Sequence, residues 1–263
     1  MRTCISSTVS MRHIVMRPSC VVLSVFVVSA LLLSTAVQAQ SNEPKLVEDF
    51  QDVPVGEVPS NWGYAERGGT LTPMEEVMGD DRRFYVVEED GEKFLRGESH
   101  GRALRMSVAA NGEHDGFLWN LNEYPRLRWS WRAQQLPEGA REDQSSLNDT
   151  GAALYVTFET NWLGLPRSIK YTYSSTLPVG TVVRFTGLRV IVVSSGKDGY
   201  GEWRTVERDV VQDYKNVFGR EAPDVPIGIS VWTDSTETGA SSMADFGRIE
   251  IRPQPQRRGS SSR

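Results

Sequence analysis

The run Arg126-Leu-Arg-Trp-Ser-Trp-Arg-Ala133 alternates apolar and polar residues without a break. Successive side chains on a strand point to opposite faces, so Leu127, Trp129, Trp131 and Ala133 share one face and Arg126, Arg128, Ser130 and Arg132 the other. Shorter runs of the same kind recur at residues 46–50, 84–88, 93–95, 103–109, 116–121, 152–159, 168–174, 181–185, 188–193, 225–233 and 243–251, separated by turn residues. Asp90-Gly91 is a hairpin turn, because glycine accepts positive φ. Residues 54–82 and 136–150 read as long loops. One segment has helical spacing: Asp209 caps it, Gln212 follows three residues on, Val210, Val211, Tyr214, Val217 and Phe218 repeat near 3.6, and Gly219 stops it. Strands at this density with one short helix predict an all-β fold, a two-sheet β-sandwich of jelly-roll type.

The N-terminus reads as an export signal over residues 1–39. Arg2, Arg12 and Arg17 form a basic leader, Cys20–Leu33 is an apolar run too short to span a bilayer, and Val37-Gln38-Ala39 offers small residues to a peptidase. A β-sandwich domain is expected over 40–252 and a disordered tail over 253–263. After cleavage no transmembrane segment is expected, and the protein would be periplasmic or extracellular. Both cysteines, Cys4 and Cys20, fall in the leader, so the mature chain would have no disulfide. The whole chain carries 29 basic and 34 acidic side chains. Loss of the leader removes three arginines and no acid, leaving a net charge of −8, which argues against nucleic acid as a partner.

Several segments resemble a bacterial family called domain of unknown function 3047. They are Arg126-Leu-Arg-Trp-Ser-Trp-Arg132, Asn148-Asp-Thr-Gly-Ala-Ala-Leu-Tyr-Val-Thr-Phe158, Ser168-Ile-Lys-Tyr171, Asp213-Tyr214 with Phe218-Gly219, and Thr233-Asp234 ahead of Phe246-Gly-Arg-Ile249. The resemblance covers roughly residues 45–251 in order. It implies an exported protein with a sandwich similar to galactose-binding and lectin-like domains, and no known activity. The family pattern carries a second Asp soon after Asp234, where this chain has Ser235-Thr-Glu237. That departure counts against a shared acid or metal site there.

Chemistry is sparse. His100 and His114 are the histidines outside the leader, too few with no cysteine for a zinc site. No Gly-x-Ser-x-Gly elbow or phosphate loop is present. Glu202 with Glu207, and Glu48 with Asp49, have the wrong spacing for carboxylates working together from one strand face. Seven tryptophans are the stronger signal. With Trp129 and Trp131 turned inward, the core sets become Leu154, Val156 and Phe158; Ile169, Tyr171 and Tyr173; and Ile227, Ile229 and Val231. If these strands share a sheet, its other face collects Arg128, Arg132, Tyr155, Lys170 and Trp232, with Asp234 at its edge. That set would suit an envelope glycan, an anionic one for preference; the competing reading is a solvated face with ion pairs such as Arg132 with Glu159. By analogy with similar sandwiches, Glu48, Asp49 and Asp245 are the candidate ligands of a structural Ca²⁺, and acids at 143–149 and 234–237 offer more oxygen ligands. No other cofactor is expected. The sequence thus favours a non-catalytic binder of carbohydrate or another envelope ligand, with a polysaccharide-acting enzyme or a periplasmic interaction module as alternatives.

Overall fold

A computed structural model describes residues 43–66 and 69–255. The expected signal at 1–39 and the tail beyond 255 lie outside the described residues. Fourteen strands and one α-helix follow in order: β1 (Lys45–Glu48), β2 (Tyr64–Ala65), β3 (Leu71–Thr72), β4 (Arg82–Glu89), β5 (Glu92–His100), β6 (Ala103–Ala109), β7 (Arg126–Gln135), β8 (Thr150–Thr160), β9 (Pro166–Ser174), β10 (Val182–Arg184), β11 (Leu188–Ser195), β12 (Arg204–Asp209), α1 (Val210–Phe218), β13 (Gly228–Asp234) and β14 (Ser241–Arg252). No helix among them is long and apolar enough to cross a membrane.

Two six-stranded sheets stack as a sandwich. The first runs β12-β7-β14-β5-β4, with β1 beside the far half of β14. The second runs β10-β11-β9-β8-β13-β6. Pairing is antiparallel except between β9 and β11, which β10 joins by a crossover. The hairpin at Asp90-Gly91 is present, both residues at positive φ. The helix begins with the Asp209 carboxylate accepting the Gln212 N–H at 2.9 Å and ends at Gly219 in the left-handed region.

The inward faces agree with the alternation. Leu127, Trp129, Trp131 and Ala133 are buried, as are Leu154, Val156, Phe158, Ile169, Tyr171, Tyr173, Ile229 and Val231. The rings interlock between sheets: Trp129 lies 5.4 Å from Tyr171 and Trp131 5.9 Å from Tyr173, while the two tryptophans meet edge to face. Residues 116–121 are not a strand. His114 and Asp115 adopt positive φ just before them, and Trp119 plugs the core with its Nε1–H donating to the Tyr124 carbonyl at 2.6 Å. The strand β12 went unnoticed in the sequence because its outer residues alternate poorly with its single apolar centre, Val206.

β7 belongs to the first sheet, and β8, β9 and β13 belong to the second. Arg128 and Arg132 therefore point away from Tyr155, Lys170 and Trp232, on the opposite outer face of the sandwich. Arg132 meets Asp245 and Glu89 there, each at 2.7 Å, and not Glu159. Arg128 faces Glu250 at 3.8 Å. Arg83 with Glu98, and Arg252 with Glu207, continue this lattice of ion pairs.

The proposed calcium ligands are corrected by the same network. Asp245 is fully buried, and its oxygens are taken by Arg96 Nε at 2.7 Å, Arg132 Nε at 2.8 Å and Gln134 Nε2 at 3.0 Å. Two guanidiniums already supply the positive charge a cation would bring. Glu48 Oε1 accepts the N–H groups of Asp49 and Phe50, and Asp49 pairs with Arg248 at 3.2 Å. These three acids are engaged separately and form no common cluster among the described residues.

Two outcomes check this fold by urea unfolding. Trp129→Ala costs about 3–5 kcal/mol, from lost transfer energy and a cavity, whereas Ser130→Ala on the outer face stays within about 0.5 kcal/mol. Similar small effects from both changes would show the strand phase to be wrong. Asp245→Ala leaves two arginines facing each other with Glu89 as their remaining acid, and costs about 3–5 kcal/mol; a loss below that of a surface substitution would dismiss Asp245 as the anchor of the network.

Candidate functional site

The second sheet's outer face gathers the remaining sequence candidates. Register places Lys170 of β9 opposite Tyr155 of β8 and opposite Val190 of β11. It places Trp232 of β13 between Ala153 of β8 and Arg105 of β6. Small neighbours beside large rings let the rings lean together: Tyr155 and Trp232 stack at 4.9 Å and 29°. Arg105 lies 5.5 Å from the Trp232 ring and 5.0 Å from the ring of Tyr64, which the loop before β2 brings over the sheet edge. Lys170 Nζ lies 5.9 Å from the Tyr155 ring. Arg105, Trp232, Tyr155 and Lys170 thus form a row of rings and cations across four strands, with Tyr64 of β2 at its Arg105 end. With adjacent strands about 4.8 Å apart, the row from Arg105 to Lys170 runs about 14 Å.

A cleft of about 200 Å³ opens at the Trp232–Tyr155–Lys170 end of this row, lined also by Glu142, Asn148 and Asp234 and by the apolar Phe185, Leu188 and Val190. Glu142 comes from the loop at 136–149, which folds back over the sheet. It is buried and accepts Thr172 Oγ1–H at 3.1 Å and Ser174 Oγ–H at 2.5 Å. Lys170 is 4% exposed, and its one described hydrogen bond, to the Asn148 carbonyl, is long at 3.5 Å. Burial pulls its pKa down, against the opposing attraction of Glu142 and Asp234. Trp232 Nε1 and Arg105 Nε have no hydrogen-bond partner among the described residues. Buried donors normally have partners, so Trp232 Nε1, on a residue that lines the cleft, is a donor left over there.

Beside the cleft, Asp149, Asp234 and Glu237 bring carboxylate oxygens within 4.8 Å of one another. The departure from the family pattern after Asp234 counts against an acid site there, yet the structure brings Glu237 of that same loop to Asp149 and Asp234. Asp149 immediately precedes β8, Asp234 ends the paired strand β13, and the turn after β13 returns over both. Asp149 is fully buried; its oxygens accept the N–H of Glu237 at 3.0 Å and of Thr238 at 2.8 Å. Burial would raise the Asp149 pKa, but the hydrogen bonds from Glu237 and Thr238 outweigh that and hold it low. Glu237 is pushed up to about 7, first by its hydrogen bond to Asp149, then by burial and by Asp234. The two shifts run in opposite directions and favour the proton on Glu237 over Asp149.

Four of the six sequence-predicted ligand residues, Tyr155, Lys170, Trp232 and Asp234, therefore meet in one cleft; Arg128 and Arg132 do not. The charges in it are Glu142 and Asp234 against Lys170, with Asp149 and Glu237 behind.

Among solved structures the chain is similar to the CBM22-1–GH10 modules of Clostridium thermocellum xylanase 10B, with 12% identity and a TM-score of 0.39, over 84% of this chain and 30% of that one. It is similar to the family 30 carbohydrate-binding module of a Clostridium thermocellum cellulosomal cellulase, at 13% identity and TM-score 0.40, over 76% of this chain and 96% of that one. It is also similar to the CBM22-1 xylan-binding domain of Paenibacillus barcinonensis Xyn10C, at 12% identity and TM-score 0.38, over 82% and 97%. Likeness at this level carries no argument about ligand or activity. No curated protein matches the sequence. A family model matches residues 75–250, from the segment before β4 almost to the end of β14. The chain belongs to the family described as Protein of unknown function (DUF3047).

Proposed function

We propose that the protein is an exported, non-catalytic sandwich that binds a neutral or amine-bearing glycan across the outer face of its second sheet. The observation that carries this reading is the row Tyr64–Arg105–Trp232–Tyr155–Lys170. Sugar rings have flat C–H faces that pack on aromatic rings, and hydroxyls that need polar partners. The row offers both side by side, and the Trp232 Nε1–H is a donor with no acceptor among the described residues. A saccharide of more than one ring fits a row of about 14 Å. Glu142 and Asp234 at the cleft accept hydroxyl or ammonium hydrogens and disfavour carboxylate or sulfate.

The test is a neutral and amino-sugar oligosaccharide panel followed by calorimetry. Trp232→Ala weakens binding at least about tenfold, as loss of a central aromatic anchor does. Arg128→Ala, on the other sheet, leaves affinity unchanged. Wild-type protein that binds no glycan, or a Trp232→Ala variant that binds as well while keeping its melting temperature, would overturn the reading.

A second reading, cleavage of a polysaccharide, is favoured by one observation: Asp149, Asp234 and Glu237 bring carboxylate oxygens within 4.8 Å of one another beside the cleft, with Glu237 pushed up to about 7. Release of reducing ends by wild type and not by Glu237→Gln would establish it. The same residue sets a pH dependence of stability. Its folded pKa lies above its ordinary value of 4.5, so its contribution is complete below that value and is lost as pH rises through about 7. Wild-type melting temperature therefore falls across this window, and the Glu237→Gln slope is shallower. Superimposable profiles would show that the Glu237 pKa is not raised.

A further inference from the structure

The end of the sandwich where β8 turns into β9 carries features that the glycan face does not use. The hairpin tip presents Trp162 at 89%, Leu163 at 56% and Leu165 at 38% exposure. The tip is tied in place. Asn161 Oδ1 accepts the N–H groups of Leu163 and Leu165, both at 2.9 Å; the Asn161 N–H donates to the Leu165 carbonyl at 2.8 Å, and the Gly164 N–H to the Asn161 carbonyl at 2.9 Å. Four backbone donors are thus satisfied inside a five-residue turn whose large side chains all point outward. These internal bonds lower the cost of bringing the turn into a poorly hydrated boundary, where unpaired backbone groups are costly.

Behind the tip lies a shallow cleft of about 260 Å³ lined by Arg167, Arg189, Arg220 and Phe218. Arg184 stands across from Arg189 in the β10–β11 pair and is exposed. One carboxylate serves these four guanidiniums: Glu159, which pairs with Arg167, lies 3.9 Å from Arg220 and also accepts the Tyr214 hydroxyl. The hydrogen bonds of Arg189 go to the carbonyls of Phe185, Leu188 and Val217. This end is therefore locally positive on a chain whose formal net charge is −5.

We propose that the β8–β9 end docks on the surface of an anionic lipid bilayer, with Trp162 and Leu163 entering the headgroup boundary and Arg167, Arg184, Arg189 and Arg220 facing lipid phosphates. Tryptophan favours that boundary, and surrounding cations add attraction to anionic lipid. Three apolar side chains are far short of the roughly 800 Å² per partner that a stable protein interface buries. A bilayer needs only a shallow apolar anchor combined with charge. The proposal is independent of the glycan reading.

Vesicle co-sedimentation tests it, with wild type and variants sharing one N-terminus. Wild type binds vesicles of phosphatidylglycerol and phosphatidylcholine in equal parts, binds phosphatidylcholine alone weakly, and is released by salt. The double change Trp162→Ser with Leu163→Ser lowers binding about tenfold or more at unchanged melting temperature. A second variant, Arg184→Glu with Arg220→Glu, keeps the apolar tip and abolishes the preference for phosphatidylglycerol. Absence of wild-type binding, equal binding to both vesicles, or full binding by the tip variant would overturn the proposal. So would Trp162-dependent dimers by gel filtration with no vesicle binding, which would assign the tip to self-association.

Discussion

Trp129 and Trp131 from one sheet lock into Tyr171 and Tyr173 from the other, and everything outside the core follows from that contact. Large rings fill the space between sheets and contribute buried area in proportion. Because a strand has period two, fixing these rings inward fixes every neighbour outward. Lys170 and Thr172 face away from the core because Ile169, Tyr171 and Tyr173 face into it. A slip of one residue would exchange the whole set. The cleft is therefore a consequence of the core's phase: the outer residues of β8, β9 and β13 have no freedom to leave it.

The two outer faces meet this constraint differently. On the first sheet the outward arginines are matched by Glu89, Glu98, Glu207, Asp245 and Glu250, strand against strand. Such a face is saturated, and its charges attract little from outside. On the second sheet the outward positions hold hydroxyls, rings and few charges. Ser107 bonds Ser230 at 2.7 Å and Thr157 bonds Ser168 at 3.0 Å. Lys170 stands among them without a carboxylate within 4.0 Å in the described residues, while a folded-back loop holds Glu142 fixed nearby. Unused donors lie on that face and are scarce on the other.

Strand phase was legible in the sequence, since alternation is local and needs no knowledge of partners. Strand pairing was not. Arg128 and Lys170 have the same local pattern, and only long-range topology assigns β7 to one sheet and β9 to the other. Hence Tyr155, Lys170, Trp232 and Asp234 were found together, while Arg128 and Arg132 were grouped with them wrongly. The acid cluster was hidden for a related reason. Asp149 and Glu237 lie far apart in sequence and meet because β8 and β13 are neighbours with matched ends. The pairing of Asp245 with Arg96 and Arg132 was invisible too, as it depends on β14 lying between β5 and β7. The helix, by contrast, was readable to the residue, because its cap, period and terminating glycine are all local signals.

The placement of the two proposed surfaces gives them a common geometry. The row of rings and cations crosses the strands, whereas the β8–β9 tip lies at their end. A bilayer contact at the tip sets the strands of the second sheet steeply to the membrane plane, because the hairpin projects along the strand direction. The row then lies roughly parallel to that plane and raised above it, with the cleft opening sideways. Polymer lying along an envelope surface would meet the row lengthwise. The same rigidity makes this orientation definite. The tip is closed by its own hydrogen bonds, and β8 and β9 run from it directly into Phe158, Ile169 and Tyr171 in the core, with no hinge between anchor and cleft.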